Sequence, residues 1–133
     1  MVELFISLDG QTNAALEFYE NVFGCKVKSV TLFSEMPINP SLTVPENMKD
    51  WIAYAEMTIC GTVFHFTDVQ KTAMPGDMVS LMIRYKTIDE ITDVYHKLSD
   101  GGEVLTELAP AVNAKTFACV KDRFGIGWQL ICE

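Results

Sequence analysis

Two periods of apolar and polar residues organise the first half of the chain. Residues 3–8 alternate loosely and predict a strand. Either Thr12 or Asn13 can cap a helix that runs to Phe23, and Gly24 stands where a glycine commonly ends a helix. Three further runs of β-branched and apolar residues predict strands, at 25–34, 51–60 and 62–68.

The second half of the chain repeats this order. A strand over 78–86 leads to Thr87, which forms a capping-box pattern with Glu90 and predicts a helix that stops before Gly101. The apolar stripe expected on one face of this helix is Ile88, Ile91, Tyr95 and Leu98. Three more strands are predicted, at 103–106, 115–121 and 126–132. Pro110 is assigned to a loop between the first two.

Both halves therefore have the element order βαβββ, which indicates an internal repeat. The order predicts an α+β fold made of two modules, at about 1–70 and 77–133, within a single domain. Residues 34–45 contain three of the five prolines and predict a long loop in the first module. The second module has no counterpart of this loop.

The repeat can be followed residue by residue. A shift of 76 residues superimposes the first strands of the two halves and brings Tyr19 onto Tyr95. A shift of 64 residues superimposes 61–66 on 125–130, so that glycine meets glycine and a polar residue lies between apolar ones in both segments. The change of shift reflects the proline-rich loop.

Charge and composition restrict the possible partners. The 133 residues are 49% hydrophobic and 21% charged, which is typical of a globular protein. Ten Lys and Arg residues against eighteen Asp and Glu residues give a net charge of −8, and no basic cluster is present. We expect neither nucleic acid nor membrane as a partner, because both require a basic footprint. No apolar run approaches the roughly 20 residues of a membrane span, and no secretory signal is recognisable.

The cysteines indicate a reducing compartment. Each of the four lies in or beside an apolar run, and none forms a CxxC pair. Such cysteines are usually small buried side chains rather than disulfides or metal ligands. The expected location is the cytoplasm.

Three segments, in order along the chain, carry a resemblance to a known family. Residues 15–24 read ALEFYENVFG, residues 55–61 read AEMTICG, and residues 122–128 read DRFGIGW. They resemble the vicinal-oxygen-chelate superfamily of glyoxalases, bleomycin-resistance proteins and extradiol dioxygenases. The resemblance is to its PhnB-like branch in particular, also labelled 3-demethylubiquinone methyltransferase-like. It implies paired βαβββ modules that form a curved mixed sheet around a ligand, usually in a homodimer.

Metal enzymes of this superfamily draw four ligands from equivalent strand positions, two in each module. The resemblance and the two shifts place these positions at Leu4, His65, Ser80 and Gln129. Leucine cannot bind a metal and serine is a poor neutral ligand, so only His65 and Gln129 are plausible ligands. Two neutral ligands do not hold a divalent ion tightly. We therefore expect no metal and no other cofactor.

His65 and Gln129 are the central candidates for ligand binding. Strand alternation places Phe64 and Phe66 on one face and His65 on the other. The aromatic face is expected to meet the helices, so that His65 faces the ligand; it could also be a general base, a metal ligand or a hydrogen-bonded core residue. Gln129 shares this face by the same alternation, or is a satisfied polar group within the sheet.

Further candidates lie on neighbouring strands. Arg84 shares strand parity with Ser80, and its guanidinium either binds a carboxylate or phosphate of the ligand or forms a surface ion pair. Glu56 is either a base or the partner of a neighbouring residue. The remaining candidates are apolar or aromatic side chains suited to line a cavity, namely Met82, Tyr54 and Trp51.

Together these features predict a cytoplasmic, metal-free homodimer that binds a small, partly apolar molecule. His65, Gln129 and Arg84 supply many hydrogen-bond donors and few acceptors, which favours a ligand with an anionic or carbonyl oxygen. One alternative is a metal-dependent or His-based lyase, isomerase or dioxygenase of the same superfamily. Another is a module that sequesters a drug or regulates another process. The sequence identifies neither the ligand nor a catalytic residue.

Overall fold

The structure, a computed structural model, describes residues 1–36, 44–69 and 74–133. The chain divides into two compact units, Met1–Ala73 and Met74–Glu133. Each unit has one helix in contact with its own four-stranded mixed sheet. The element order confirms the predicted α+β fold of two βαβββ modules.

The described residues of the first unit form one α-helix and four strands. They are β1 (Leu4–Leu8), α1 (Thr12–Phe23), β2 (Val27–Leu32), β3 (Ile52–Ile59) and β4 (Thr62–Asp68). The strand order is β1-β4-β3-β2, with β1 parallel to β4 and the other neighbours antiparallel. Short 3₁₀ turns at Phe33–Glu35 and Glu46–Met48 lie on either side of 37–43, the part of the predicted proline-rich loop outside the described residues.

The second unit has the same topology. Its elements are β5 (Leu81–Tyr85), α2 (Ile88–Ser99), β6 (Glu103–Ala111), β7 (Ala114–Lys121) and β8 (Gly127–Cys132). The strand order is β5-β8-β7-β6, and β5 is parallel to β8. Strands β4 and β8, each paired in parallel with the first strand of its unit, therefore occupy equivalent places in the two sheets.

The prediction that Pro110 lies in a loop is wrong, because Pro110 is part of β6. This strand is at the edge of its sheet and pairs only with β7. Its register shifts between Thr106 and Ala109 and again between Ala109 and Ala111. A proline is tolerated at an irregular edge because its missing N–H leaves no inner strand without a partner.

The first turn of α1 is held by a residue that is distant in sequence. Gln11, rather than Thr12 or Asn13, occupies the N-cap position, and its side chain makes no capping hydrogen bond. The Thr12 N–H instead donates to Asp68 Oδ1 at 3.0 Å, while Asp68 Oδ2 accepts from the Ile52 N–H at 2.9 Å. The buried Asp68 carboxylate thus joins the start of α1 to β3 and β4.

The predicted start of α2 is confirmed, since Thr87 Oγ1 accepts a hydrogen bond from the Glu90 N–H. Its buried stripe differs from the prediction at two positions. Ile88, in the first turn, is 52% exposed, and Tyr95 is only half-buried. The residues that the helix buries follow a three- and four-residue spacing and are Ile91, Val94 and Leu98.

The first sheet packs its aromatic residues against α1, as the alternation predicts. Phe64 and Phe66 are buried, and the Phe66 ring centroid lies 6.1 Å from that of Tyr19 on α1. His65 lies on the opposite side of the sheet and is half-buried. We call this side the first open face, defined by Phe5, Tyr54, Glu56 and His65.

The second sheet shows the same alternation. Trp128 and Leu130 are buried on the helix side, and Gln129 between them points the other way. We call this side the second open face, defined by Met82, Cys119 and Gln129.

Candidate functional site

The strand ladders show which residues are equivalent in the two units. Phe5 pairs with His65 in the first sheet, and Met82 pairs with Gln129 in the second. The first strands therefore correspond at a shift of 77, not 76. The difference arises because three residues, 9–11, connect β1 to α1, whereas two residues, 86–87, connect β5 to α2. The shift of 76 aligns α1 with α2, but it does not align β1 with β5.

This register corrects the predicted position at Leu4, which lies on the helix side of the sheet. Glu3, one residue earlier, is the counterpart of Ser80. Glu3 Oε1 lies 2.6 Å from His65 Nε2, and Ser80 Oγ accepts a hydrogen bond from Gln129 Nε2 at 3.1 Å. Equivalent positions in the two units thus hold a polar pair, which includes a carboxylate in the first unit and is neutral in the second.

A hydrogen-bonded network extends across the first open face. The Tyr54 hydroxyl lies 2.7 Å from His65 Nδ1 and 3.2 Å from Glu56 Oε1. Lys28, at a register irregularity of β2, forms an ion pair with Glu56 Oε2 at 2.9 Å. The network therefore runs from Glu3 through His65, Tyr54 and Glu56 to Lys28, and both ring nitrogens of His65 have a partner.

Contacts and desolvation shift the pKa values of three groups in this network, namely Glu56, Lys28 and Tyr54. The Lys28 ammonium holds the pKa of Glu56 below its usual value, and the same contact raises the pKa of Lys28. Desolvation, followed by the hydrogen bond to Glu56, raises the pKa of Tyr54. Glu56 is therefore ionised and Tyr54 keeps its phenolic hydrogen at neutral pH.

An exposed aromatic ring borders the network. The Phe5 ring stacks on the His65 imidazole, with centroids 6.1 Å apart and planes inclined by 20°. Phe5 is 60% exposed. The Tyr54 ring contacts the same imidazole at a centroid distance of 5.7 Å. The first open face thus combines a carboxylate–imidazole pair with an open apolar surface.

The second open face lacks charge at the equivalent positions. Gln129 faces Met82 on one side, where His65 faces Phe5 in the first sheet, and Met82 is 52% exposed. On its other side Gln129 pairs with Cys119, which takes the place of Glu56. An amide and a hydroxyl can donate hydrogen bonds to an oxygen of a ligand, but these side chains carry no charge of their own.

Two predicted candidates lie apart from these pairs. Arg84 has the strand parity of Met82, and its guanidinium forms an ion pair with Glu133, with both side chains exposed. The predicted alternative of a surface ion pair therefore describes Arg84. Trp51 precedes β3 and packs on the turn after β1, where a Cβ on Gly10 would lie 2.8 Å from the indole.

The DRFGIGW segment builds a turn. Asp122 Oδ1 accepts hydrogen bonds from the N–H groups of Phe124 and Ile126, at 2.9 and 3.1 Å. Asp122 Oδ2 accepts one from Trp128 Nε1 at 2.9 Å. This segment fixes Trp128 in the core, which in turn directs Gln129 to the second open face.

The donor set does not fit the superfamily metal. Ser80 and Gln129 are neutral and bind each other, and both nitrogens of His65 are engaged by Glu3 and Tyr54. Glu3 does supply the carboxylate that the predicted ligand set lacked. In residues 1–36, 44–69 and 74–133, however, no group of three or more His, Cys, Asp or Glu side chains is arranged to hold a metal ion.

Sequence reasoning missed Glu3, Phe5 and Lys28. Alternation along β1 places Phe5 on the side of the sheet away from the buried residues. Aligning β1 by its pairing with β4, rather than by the helices, would have identified Glu3 as the counterpart of Ser80. Lys28 carried no such signal, because the register of β2 is irregular there.

The two βαβββ modules have the glyoxalase fold. The model of the family described as 3-demethylubiquinone-9 3-methyltransferase matches residues 2–131. The chain belongs to this family, which is the PhnB-like branch. No curated protein matches the sequence significantly.

Several solved structures are similar over nearly the whole chain. The PhnB protein from Bacillus cereus is 25% identical with a TM-score of 0.79, and the match covers 99% of this chain and 98% of that chain. Protein PA1353 from Pseudomonas aeruginosa is 22% identical with a TM-score of 0.82, covering 100% and 98%. A glyoxalase-related enzyme from Fulvimarina pelagi is 18% identical with a TM-score of 0.66, covering 100% and 88%. These likenesses confirm the glyoxalase fold.

Neither helix in the described ranges is long and apolar enough to cross a membrane.

Proposed function

We propose that each open face of this PhnB-like protein is a binding surface for a small, partly apolar organic molecule, without the superfamily metal. The supporting observation is the polar pair that recurs at the same ladder position of both sheets, Glu3–His65 and Ser80–Gln129. Each pair adjoins an exposed apolar side chain. Small-molecule sites commonly combine an apolar surface with a few placed polar groups.

We assign an anionic or carbonyl oxygen of the ligand to the second open face. Ser80 Oγ accepts from Gln129, so its own hydroxyl hydrogen can be donated to a ligand, and the Gln129 amide has a second N–H. Arg84 has the parity of Met82, and a ligand carboxylate could replace Glu133 as its partner.

The first open face, taken by itself, would bind a polar group of a ligand through Tyr54, Glu56 and His65. Met82 would contribute apolar contact on the second face. Trp51 is left out of this proposal because its ring packs on Gly10.

A search for co-purified and added ligands by native mass spectrometry tests the proposal. Any hit is then titrated against His65→Ala and Gln129→Ala, with His96→Ala as the matched control because His96 is exposed on α2. We expect at least one of the first two variants to weaken the hit by about tenfold, the effect of one lost hydrogen bond to a polar ligand. The proposal would be refuted if His96→Ala weakened ligand binding equally, or if neither His65→Ala nor Gln129→Ala changed the affinity.

The Glu3–His65 pair favours an acid–base enzyme as the second candidate function. A carboxylate bonded to one imidazole nitrogen orients the ring, an arrangement found in many general acid–base sites. Incubation of a confirmed ligand with the protein, followed by mass analysis, separates the two functions. Conversion that disappears in His65→Ala identifies an enzyme, whereas stabilisation without conversion identifies a binding protein.

We further propose a single-domain, cytoplasmic homodimer. None of the four cysteines, all of which lie in the described residues, is joined in a disulfide, which supports a reducing compartment. The edge strands of the two sheets support pairing with a second copy, since exposed edges are usually covered. Light scattering at tens of micromolar should give twice the chain mass, and calorimetry should show one transition. Elemental analysis should find well under one equivalent of transition metal.

A further inference from the structure

We infer that the first open face binds the cationic nitrogen of an organic ligand, held by the Glu3 carboxylate beside the Phe5 ring. This assignment rests on the proposed function of the face and adds the chemical class of the group that it binds. It differs from the oxygen assigned to the second open face, because the two faces carry different groups.

The first reason is the acceptor capacity of Glu3. Glu3 Oε1 contacts His65 Nε2 at 2.6 Å, and His65 Nδ1 is held by the Tyr54 hydroxyl at 2.7 Å. A carboxylate has two oxygens and can accept several hydrogen bonds, so the imidazole does not use all of its acceptor capacity. A ligand that brings an N–H donor can therefore bind Glu3 without displacing His65.

The second reason is charge. Lys28 is already paired with Glu56, and both donor-capable nitrogens of His65 face protein partners. By formal charge, with histidine counted as neutral, Glu3 and Glu56 contribute −2 and Lys28 contributes +1, so the sum over the network is −1. The whole chain carries −8. An anionic ligand would find no unengaged cation in this network, whereas a cationic one would be attracted at short and long range.

The third reason is the surface beside Glu3. The Glu3 side chain is 32% exposed, so its carboxylate is accessible from solvent. Phe5 is stacked on His65 and yet 60% exposed, which leaves part of its ring open. A cation over an aromatic face is attracted by the ring quadrupole, and a planar amidinium can also pair with a carboxylate through two N–H groups.

Three probes of one shape test the charge of the preferred group in the full-length protein. Benzamidine is cationic, benzamide is its neutral analogue, and benzoate is anionic. We expect benzamidine to shift the NMR resonances of His65 and Phe5 in a saturable way. Benzamide should bind at least about tenfold more weakly, because it lacks the charge that strengthens a hydrogen bond to a carboxylate.

Two variants assign the effect to the Glu3–Phe5 surface. Glu3→Gln should weaken benzamidine by about tenfold or more, and Phe5→Leu should weaken it while keeping an apolar side chain in place. Glu17→Gln removes the same charge from an exposed position on α1 and should change the affinity by less than about twofold. Phe5→Leu gives an independent result should Glu3→Gln fail to fold.

The outcomes separate this assignment from the proposed function. Binding of benzoate or benzamide to the same resonances, as tight as that of benzamidine, would overturn the cationic class and leave a ligand-binding face. Equal loss in Glu17→Gln and Glu3→Gln would show general charge attraction and also overturn it. Absence of any shift with all three probes would refute the cationic assignment, while the mass-spectrometric hits would still decide the proposed function.

Discussion

Asp122→Ala is expected to destabilise the second unit strongly. The Asp122 side chain is 3% exposed and its carboxylate accepts hydrogen bonds from two backbone N–H groups and from the indole of Trp128. Alanine removes both acceptor oxygens and thus all three hydrogen bonds at once. The indole N–H, on a residue that is 1% exposed, would then have to remain unpaired or draw water into the core.

The magnitude follows from the burial of each donor. A hydrogen bond to a charged group contributes about 1.5–3 kcal/mol, so the buried indole contact is the largest contribution. The two backbone donors, on Phe124 and Ile126, are partly buried and can reach water, so about 0.5–1.5 kcal/mol each is expected. The total loss is about 2.5–6 kcal/mol. Asp122→Asn should cost less, about 1–3 kcal/mol, because one oxygen can still accept from the backbone while the new amide N–H opposes the indole N–H.

Urea unfolding monitored by fluorescence measures these losses. In a Trp51→Phe background Trp128 is the only tryptophan and reports on the second unit. Asp93→Ala is the control, since Asp93 pairs with Lys97 on the surface of α2 and its loss should cost under about 0.5 kcal/mol. A loss below about 1 kcal/mol for Asp122→Ala, or an equal loss for Asp93→Ala, would refute the role assigned to this carboxylate.

Three other substitutions test the fold and the network. Asp68→Ala should cost about 2–4 kcal/mol in thermal unfolding, because two backbone N–H groups lose a buried acceptor; an unchanged melting temperature would contradict its capping role. Lys28→Met should raise the pKa of Glu56 toward its ordinary 4.5 in an NMR titration. The Lys28–Glu56 pair adds stability at pH values above the ordinary pKa of Glu56, and this stability is lost as the pH falls through the lowered pKa. Lys28→Met should abolish this contribution, and an unshifted pKa of Glu56 would show that the pair does not form in solution. Gly102→Ala should cost about 1–3 kcal/mol in urea, because its Cβ would lie 2.2 Å from a backbone carbonyl oxygen, whereas Gly76→Ala meets no atom within 4 Å and should be neutral.

The two modules have diverged in the chemistry of equivalent positions. The pair Glu3–His65 belongs to a network with Glu56, whereas Ser80–Gln129 faces neutral side chains. A duplicated scaffold can therefore present two different binding surfaces. This divergence underlies the two separate ligand groups that we propose for the two faces.

The sequence by itself determined the elements and their faces. Helix and strand periods, the Thr87 cap and the glycine after α1 are local signals, and Gly24 has the left-handed conformation that such an ending needs. Alternation also placed His65 and Gln129 correctly on the side of the sheet away from the helix, because side-chain direction along a strand depends only on parity.

Only the tertiary structure decided what meets His65. The parallel pairing of β1 with β4 joins residues about 60 positions apart, and a connection longer by one residue changed the counterpart of Ser80 from Leu4 to Glu3. A slip of one residue moves every side chain of a strand to the other face, so local patterns cannot correct it. The same holds for Asp68 at the end of β4, which binds the first turn of α1 although it lies 56 residues further along the chain. Such contacts depend on how distant segments pair, and no periodicity within a segment encodes that pairing.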